Sequence, residues 1–296
     1  MLGNRFNRNE IRIKNLEKII SELRIQLDNC QDKISEYEKG ISVISRQLLW
    51  TKWKVIDSYV EKEELLDDLV KCTICGDAHK RKDYKVVESE CIFNGGRLVR
   101  YVCPTCGVIF GPTKFTSQGE NNIGEDYRVH YLGFNEGDSS YKEERAFYML
   151  SPDKNKIYLN FGCGRWSGTL KKLRGLGYNV YGFEPYASNK NSDYIITDVE
   201  QLKRMRFDGI FTNDVLEHFL LPIDELKFMT ELLSKDGKMA HCTSCYTYKY
   251  EFTRFHTHFF TGKSVSVMAE RAGLEIIDYC DDLAENDFIC YVFKIK

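Results

Sequence analysis

The stretch from Ile157 to Ser188, IYLNFGCGRWSGTLKKLRGLGYNVYGFEPYAS, leaves the chain few ways to fold. An apolar, strand-like run, Ile157 to Phe161, enters a glycine-rich turn made of Gly162, Cys163 and Gly164, with Gly168 soon after. Leu170, Leu173 and Leu176 then recur at helical spacing, and Gly175 and Gly177 end the helix. A second strand, Asn179 to Phe183, meets an acid, Glu184, and then Pro185. The pattern predicts a β-turn-α-β unit within an open, mostly parallel α/β sheet of about seven strands. Glycine suits the turn because the backbone must bend sharply and let a ligand come close. A carboxylate at the tip of the second strand can accept hydrogen bonds from both hydroxyls of a ribose. The unit therefore predicts a cofactor that contains a nucleoside.

The glycine spacing separates two kinds of cofactor. A dinucleotide site reads G-x-G-x-x-G and sets a pyrophosphate on the helix N-terminus. Here the third glycine comes one residue late, as G-x-G-x-x-x-G. The pattern resembles motif I of class I S-adenosylmethionine-dependent methyltransferases. That resemblance implies a Rossmann-like seven-stranded sheet and a turn, Gly162 to Gly164 with Gly168, that cradles the amino-acid part of the cofactor. Glu184 and Pro185 would follow on the ribose side. The family commonly has Asp or Glu where this chain has Asn160. Asn160 keeps a hydrogen-bonding group there but brings no charge for the ammonium group, which predicts weaker cofactor binding.

Downstream, Asp193 to Thr197 reads as a third strand, and Asp198 follows it. The residues alone make Asp198 a helix N-cap before Val199 and Glu200; the resemblance also sets it near the adenine amino group. Phe207 to Asn213 reads as the fourth strand, with Asn213-Asp214-Val215-Leu216-Glu217-His218 at its carboxyl end, a frequent family motif. Ligands of open α/β sheets bind outside the carboxyl ends of strands. Asn213 is thus expected at the cofactor, and Asp214 and His218 at the reaction space. Strands are further expected over Gly237 to Cys242, Glu275 to Cys280 and Phe288 to Ile295, with helices over Pro222 to Leu233 and Thr261 to Ala272. Cys242-Thr-Ser-Cys245 reads as a strand end with small buried residues. The family often has a histidine ahead of an aromatic pair, as in His258-Phe259-Phe260. Neutral imidazole can take a hydroxyl proton near pH 7. His218 and His258 are the candidate bases, with Asp214 as the carboxylate alternative. His79, His130 and His241 fall in a ribbon, a lid and a strand.

Ahead of this core, Ile13, Leu16, Ile20, Leu23, Leu27, Cys30, Ile34, Tyr37, Ile41, Ile44 and Leu48 step by alternating threes and fours. That is an a/d heptad seam flanked by charged and polar residues, and it predicts a coiled coil and a homo-oligomer through residues 13–48. The alternative is a helix folded back on the body. Leu49 to Val70 reads as a more apolar helical connector carrying Trp50 and Trp53. Cys72-Thr-Ile-Cys75 and Cys103-Pro-Thr-Cys106, each followed by glycine, have the spacing of a zinc ribbon. A closed four-thiolate site leaves no open position for catalysis, so its zinc would be structural. Cys91 between the pairs reads as a bystander. The expected segments are a coiled coil (1–50), a connector (51–71), the ribbon (72–115), a linker or lid (116–150) and the catalytic domain (151–296). A ribbon ahead of this core resembles a bacterial subgroup that methylates sugars or cell-surface glycans. By that resemblance Tyr127 and Tyr131 would close over the cofactor.

Composition excludes some partners. A formal net charge of -2 gives no global pull toward nucleic acid or an anionic membrane. No apolar run approaches a membrane span, and MLGNRFNRNEIRIK lacks the apolar core of a signal peptide. Eleven scattered cysteines do not make a paired disulfide framework, and a cytoplasmic protein with reduced thiols is expected. The functional reading is a methyltransferase acting on a sugar or glycan precursor. The alternative is a non-catalytic coiled-coil assembly protein that retains a cofactor pocket.

Overall fold

The computed structural model describes residues 3–63, 68–93, 95–130, 137–164, 167–185 and 193–296. Helix α1 (Gly3–Glu63) runs unbroken through the heptad seam and the aromatic stretch after it. The connector helix expected to reach Val70 does not. Leu69–Lys71 is strand β1, paired antiparallel with β2 (Ala78–Lys80), and this pairing holds Cys72 and Cys75 in the turn between them. Strands β3 (Lys85–Cys91) and β4 (Gly96–Val102) form a hairpin longer than the apolar runs suggest, because each residue finds a cross-strand partner. Strand β5 (Ile109–Phe110) and helices α2 (Thr113–Thr116), α3 (Glu120–His130) and α4 (Ser140–Met149) lead into the core.

The core alternates as expected for an α/β sheet: β6 (Ile157–Phe161), α5 (Gly168–Gly175), β7 (Asn179–Phe183), β8 (Ile195–Ile196), α6 (Val199–Lys203), β9 (Phe207–Asn213), α7 (Pro222–Leu232) and β10 (Leu233–Cys242). Then come β11 (His258–Phe259), α8 (Ser264–Arg271), β12 (Leu274–Asp282), α9 (Leu283–Asn286) and β13 (Phe288–Ile295). Seven strands lie in the order β12-β13-β10-β9-β6-β7-β8. The five from β10 to β8 are parallel, and β13 and β12 add an antiparallel edge. Strand side chains alternate between two buried faces. Tyr158, Phe211 and Ala240 pack with Phe147 of α4 and Leu170 of α5. Leu159, Ile210 and Met239 pack on the other face, with Leu226 of α7 and Met268 of α8. Strand β6 lies between β7 and β9, so the chain runs from β6 out to β8 on one side and returns to β9 on the other; the crevice at such a switch point, outside the carboxyl end of β6, is where open α/β sheets bind ligands.

The ribbon is continuous with the core. Strand β11, which follows β10 in the chain, pairs antiparallel with β5 and completes a second sheet in the order β11-β5-β4-β3. Lys263 N donates to Cys106 O at 3.0 Å, and Arg271 bonds Ile74 O.

The rod has a different character. Its seam stands in solvent: Ile13, Leu23 and Leu48 are 55%, 57% and 66% exposed. A helix folded back on the body would have covered them. Among the described side chains of the rod, only those of its foot are embedded. Trp53 is buried against Phe115, with the Arg254 guanidinium 5.3 Å from its ring, and Lys114 Nζ reaches Asp57 at 2.6 Å.

Candidate active site

The glycine-rich turn has the shape its sequence predicts. Gly162 and Gly164 adopt φ of +76° and +69°, a region that side chains with a Cβ rarely enter. The N–H groups of Gly162 and Cys163 both donate to Phe183 O, at 2.9 and 3.2 Å, which ties the turn to the end of β7. A Cβ on Gly162 would lie 2.8 Å from Val215 Cγ2, so glycine also lets the turn touch the segment after β9. Among the described residues nothing lies within 4 Å of a Cβ built on Gly164, so the turn is open on that side. Ser167 caps α5 by accepting from Leu170 N at 3.1 Å. Glu184 follows β7, its N–H bonded to Ile196 O at 3.0 Å, with Pro185 exposed beside it. Asp198 caps α6 by accepting from Glu200 N at 2.8 Å, the role its sequence context predicts. Tyr131 lies outside the described residues.

Asn160 is buried, and its Nδ2 donates to Glu143 Oε2 at 2.9 Å. Glu143 comes from α4, and sequence reasoning missed it. It brings a carboxylate to the turn from a neighbouring helix, where the family's acid stands on the strand itself. Burial holds its carboxyl above the usual range, so a cation at the turn would be welcome there. Open space at Gly164, a carboxylate at Glu143 and another at Glu184 suit a ligand with an ammonium group at one end and a ribose at the other. Glu143 left little signal in the sequence, because α4 carries several charged residues on its polar face.

The segment after β9 gathers the chemistry. Asp214 sits at φ +51°, its Oδ2 accepting from Asn213 Nδ2 at 2.9 Å. Burial, then the neighbouring Glu217 carboxylate, pushes Asp214 up to about 7. Glu217 is buried too and reaches about 7, although Thr243 Oγ1 donates to its Oε1 at 2.6 Å. His218 Nδ1 meets the Tyr127 hydroxyl at 2.7 Å and Phe255 O at 3.1 Å. The expected lid residue Tyr127 thus contacts His218 and packs on Phe255, ring centroids 4.2 Å apart.

His258 requires a correction. It lies in β11 at 1% exposure, bonded to Thr73 of the ribbon at 2.6 Å and to Thr257 at 3.0 Å. Burial pushes its pKa down to about 3. It fastens ribbon to core, and an acceptor has no path to it. The histidine that joins His218 is His256, two residues earlier, at a ring separation of 5.0 Å.

Residues 134–279 match a family model described as a methyltransferase domain. This segment is a methyltransferase domain. No curated protein sequence matches the chain. Solved structures of similar fold include the mitomycin 7-O-methyltransferase MmcR, at TM-score 0.44 and 10% identity over 62% of this chain. The chain spans 60% of MmcR's length. An S-adenosylmethionine-dependent methyltransferase from Clostridium acetobutylicum aligns at TM-score 0.41 and 12% identity, over 59% of this chain and 98% of that one. A TehB-like methyltransferase from Corynebacterium glutamicum aligns at 0.39 and 20%, over 60% and 97%.

Beside the methyltransferase domain, the two cysteine pairs converge. Cys72 Sγ lies 3.7 Å from Cys106 Sγ, and Cys75 Sγ lies 3.5 Å from Cys103 Sγ. All four ligand atoms fall within 4.8 Å of one another. Gly76 and Gly107, at φ +86° and +83°, close the two turns. Cys91 stands apart, near Arg254. Cys242 ends β10 and Cys245 follows it, both buried. No helix among the described residues is long and apolar enough to cross a membrane.

Proposed function

We propose that the methyltransferase domain methylates a hydroxyl of a sugar or glycan precursor. The carrying observation is the cluster of Asp214, Glu217, His218 and His256, which adjoins the glycine turn through Val215 and offers acceptors for a hydroxyl proton. Glu143 would face the cofactor's ammonium group, Gly162 to Gly164 would back its methionine part, and Glu184 would accept from its ribose. Asp198 and Asn213 would lie toward the adenine and sulfur sides. S-adenosylmethionine supplies an electrophilic methyl group. The chain's own contribution is alignment of the acceptor and removal of its proton. The order of ribbon and core supports a sugar acceptor.

Zinc at the four cysteines would be structural, since it would fill a closed site where the β1–β2 and β4–β5 turns meet. The exposed seam supports a homo-oligomer through residues 13–48. Eleven cysteines outside any disulfide support a cytoplasmic setting, and the charge balance supports a protein without a nucleic-acid partner or membrane span. The alternative, an assembly protein that keeps the pocket, would bind the cofactor without using it.

The test is to incubate the chain with S-adenosylmethionine and a panel of nucleotide-linked sugars, with mass spectrometry of the products. A methylated sugar is expected from the wild type. Glu184→Ala should lose roughly 1.5–3 kcal/mol of cofactor affinity by calorimetry, about ten- to hundredfold. Cofactor binding without turnover of any sugar would favour the assembly reading, and unchanged affinity in the variant would overturn the pocket.

A further inference from the structure

Besides the four cysteines, one other group of side chains among the described residues has the makings of a metal site. A carboxylate oxygen of Glu217 and one ring nitrogen each from His218 and His256 lie within 4.8 Å of one another. Two of these residues follow β9 and the third comes from the loop before β11, so the fold, not a local motif, brings them together. His256 Nδ1 is 2.9 Å from Tyr250 O. A carbonyl only accepts, so the hydrogen-bond network assigns the proton to Nδ1 and leaves Nε2 with the lone pair. Phe255 O beside His218 Nδ1 favours the same tautomer there.

Glu217 supplies an independent observation. Its side chain is 1% exposed; Oε1 accepts from Thr243 and the nearby Cys245 thiol also favours the charged form, but Oε2 is without a hydrogen-bond partner among the described residues. A buried carboxylate oxygen left unpaired is costly, so such an atom calls for a partner. Lys142, whose charge is felt at Glu217, is committed to Asp287 at 2.6 Å. The site thus holds two imidazoles beside a carboxylate whose Oε2 has an acceptor role unfilled among the described residues.

We propose that Glu217, His218 and His256 bind a divalent transition-metal ion of the zinc type. Two histidines and one carboxylate are a donor set that keeps coordination positions open. The Tyr127 hydroxyl orients the His218 ring, as partners behind a ligand do. An open position takes the acceptor hydroxyl, a role that rests on the methyl-transfer reading, whereas metal binding itself does not. Held there, the hydroxyl ionises more readily and its proton passes to water. The oxygen then bonds the methyl carbon while the carbon–sulfur bond breaks, its electron pair staying on sulfur.

The experiment is a cobalt(II) titration of the metal-stripped full chain, followed by absorption. The first equivalent, at the four thiolates, is expected to show intense thiolate-to-cobalt charge transfer. A second is expected with weak ligand-field bands only. His256→Ala and Glu217→Gln should lose the second equivalent and keep the first, which reports that the chain remains folded. If Glu217→Gln fails to fold, His256→Ala carries the test. Saturation at one equivalent in the wild type, or a second equivalent that survives His256→Ala, overturns the site. Cofactor affinity measured on the same samples reports separately on the methyltransferase pocket.

Discussion

In the proposed cofactor site, Asn160 and Glu143 would divide a task that the family commonly gives to one acid. The strand residue keeps the hydrogen bond, and the helix residue keeps the charge. Glu143→Gln should therefore weaken S-adenosylmethionine binding by about tenfold or more, the worth of a charge-assisted contact. Adding Asn160→Asp to that variant should restore much of the loss. Calorimetry that finds Glu143→Gln equal to wild type would remove it from the site. The sequence exposed half of this arrangement, since Asn160 occupies a motif position while Glu143 is one acid among several on α4. The histidines were harder to sort. His256 and His258 stand one residue apart between aromatics, and only the pairing of β11 with β5 decides which is sealed away. His241 makes a separate point about pH. Burial lowers its pKa to about 3, below the roughly 6.5 expected when unfolded. Its neutral form is the one the fold accepts. The associated stability is full above pH 6.5 and is lost as pH falls from there toward 3. In His241→Gln the slope of unfolding free energy across this window should flatten by up to about 1.4 kcal/mol per pH unit, as urea titrations would show.

Among the elements, those with strong local signals were readable in advance. The unit β6–α5–β7 lies between glycine turns, and β9 and β13 are apolar runs with clear ends. Strands with little local signal were misjudged or missed. β8 keeps only two residues, β10 begins at Leu233 ahead of the polar Ser234 to Asp236, and β11 is a two-residue strand that exists only because the ribbon is there to pair with it. That pairing binds the stability of the two parts together. Stripping the zinc proposed at the four cysteines, or substituting Cys103→Ser, should lower the melting temperature of the whole chain in a single transition. A loss of ~2 kcal/mol moves it by roughly 4–8 °C. Two separate transitions in circular dichroism, with the core's melting unchanged, would show that β11 does not couple them.

For the whole molecule, the heptad pattern was legible because it repeats, and the structure adds where its surface lies. Ile13 to Leu48 presents an apolar stripe to solvent, which a second copy of the chain would bury. Deleting residues 1–48 while keeping Trp53 and the foot should give a monomer by light scattering, with cofactor affinity intact. A full-length chain already monomeric at micromolar concentration would contradict it. The continuity of α1 has a mechanical consequence. From seam to foot there is no hinge, so the helix behaves as a keyed shaft about 90 Å long, at 1.5 Å per residue. Trp53, clamped between Phe115 and Arg254, is the key. Whatever grips the upper shaft also sets the compass bearing of the crevice below. One residue inserted between Leu48 and Trp53 would swing that crevice through about 100° while moving it only about 1.5 Å along the axis.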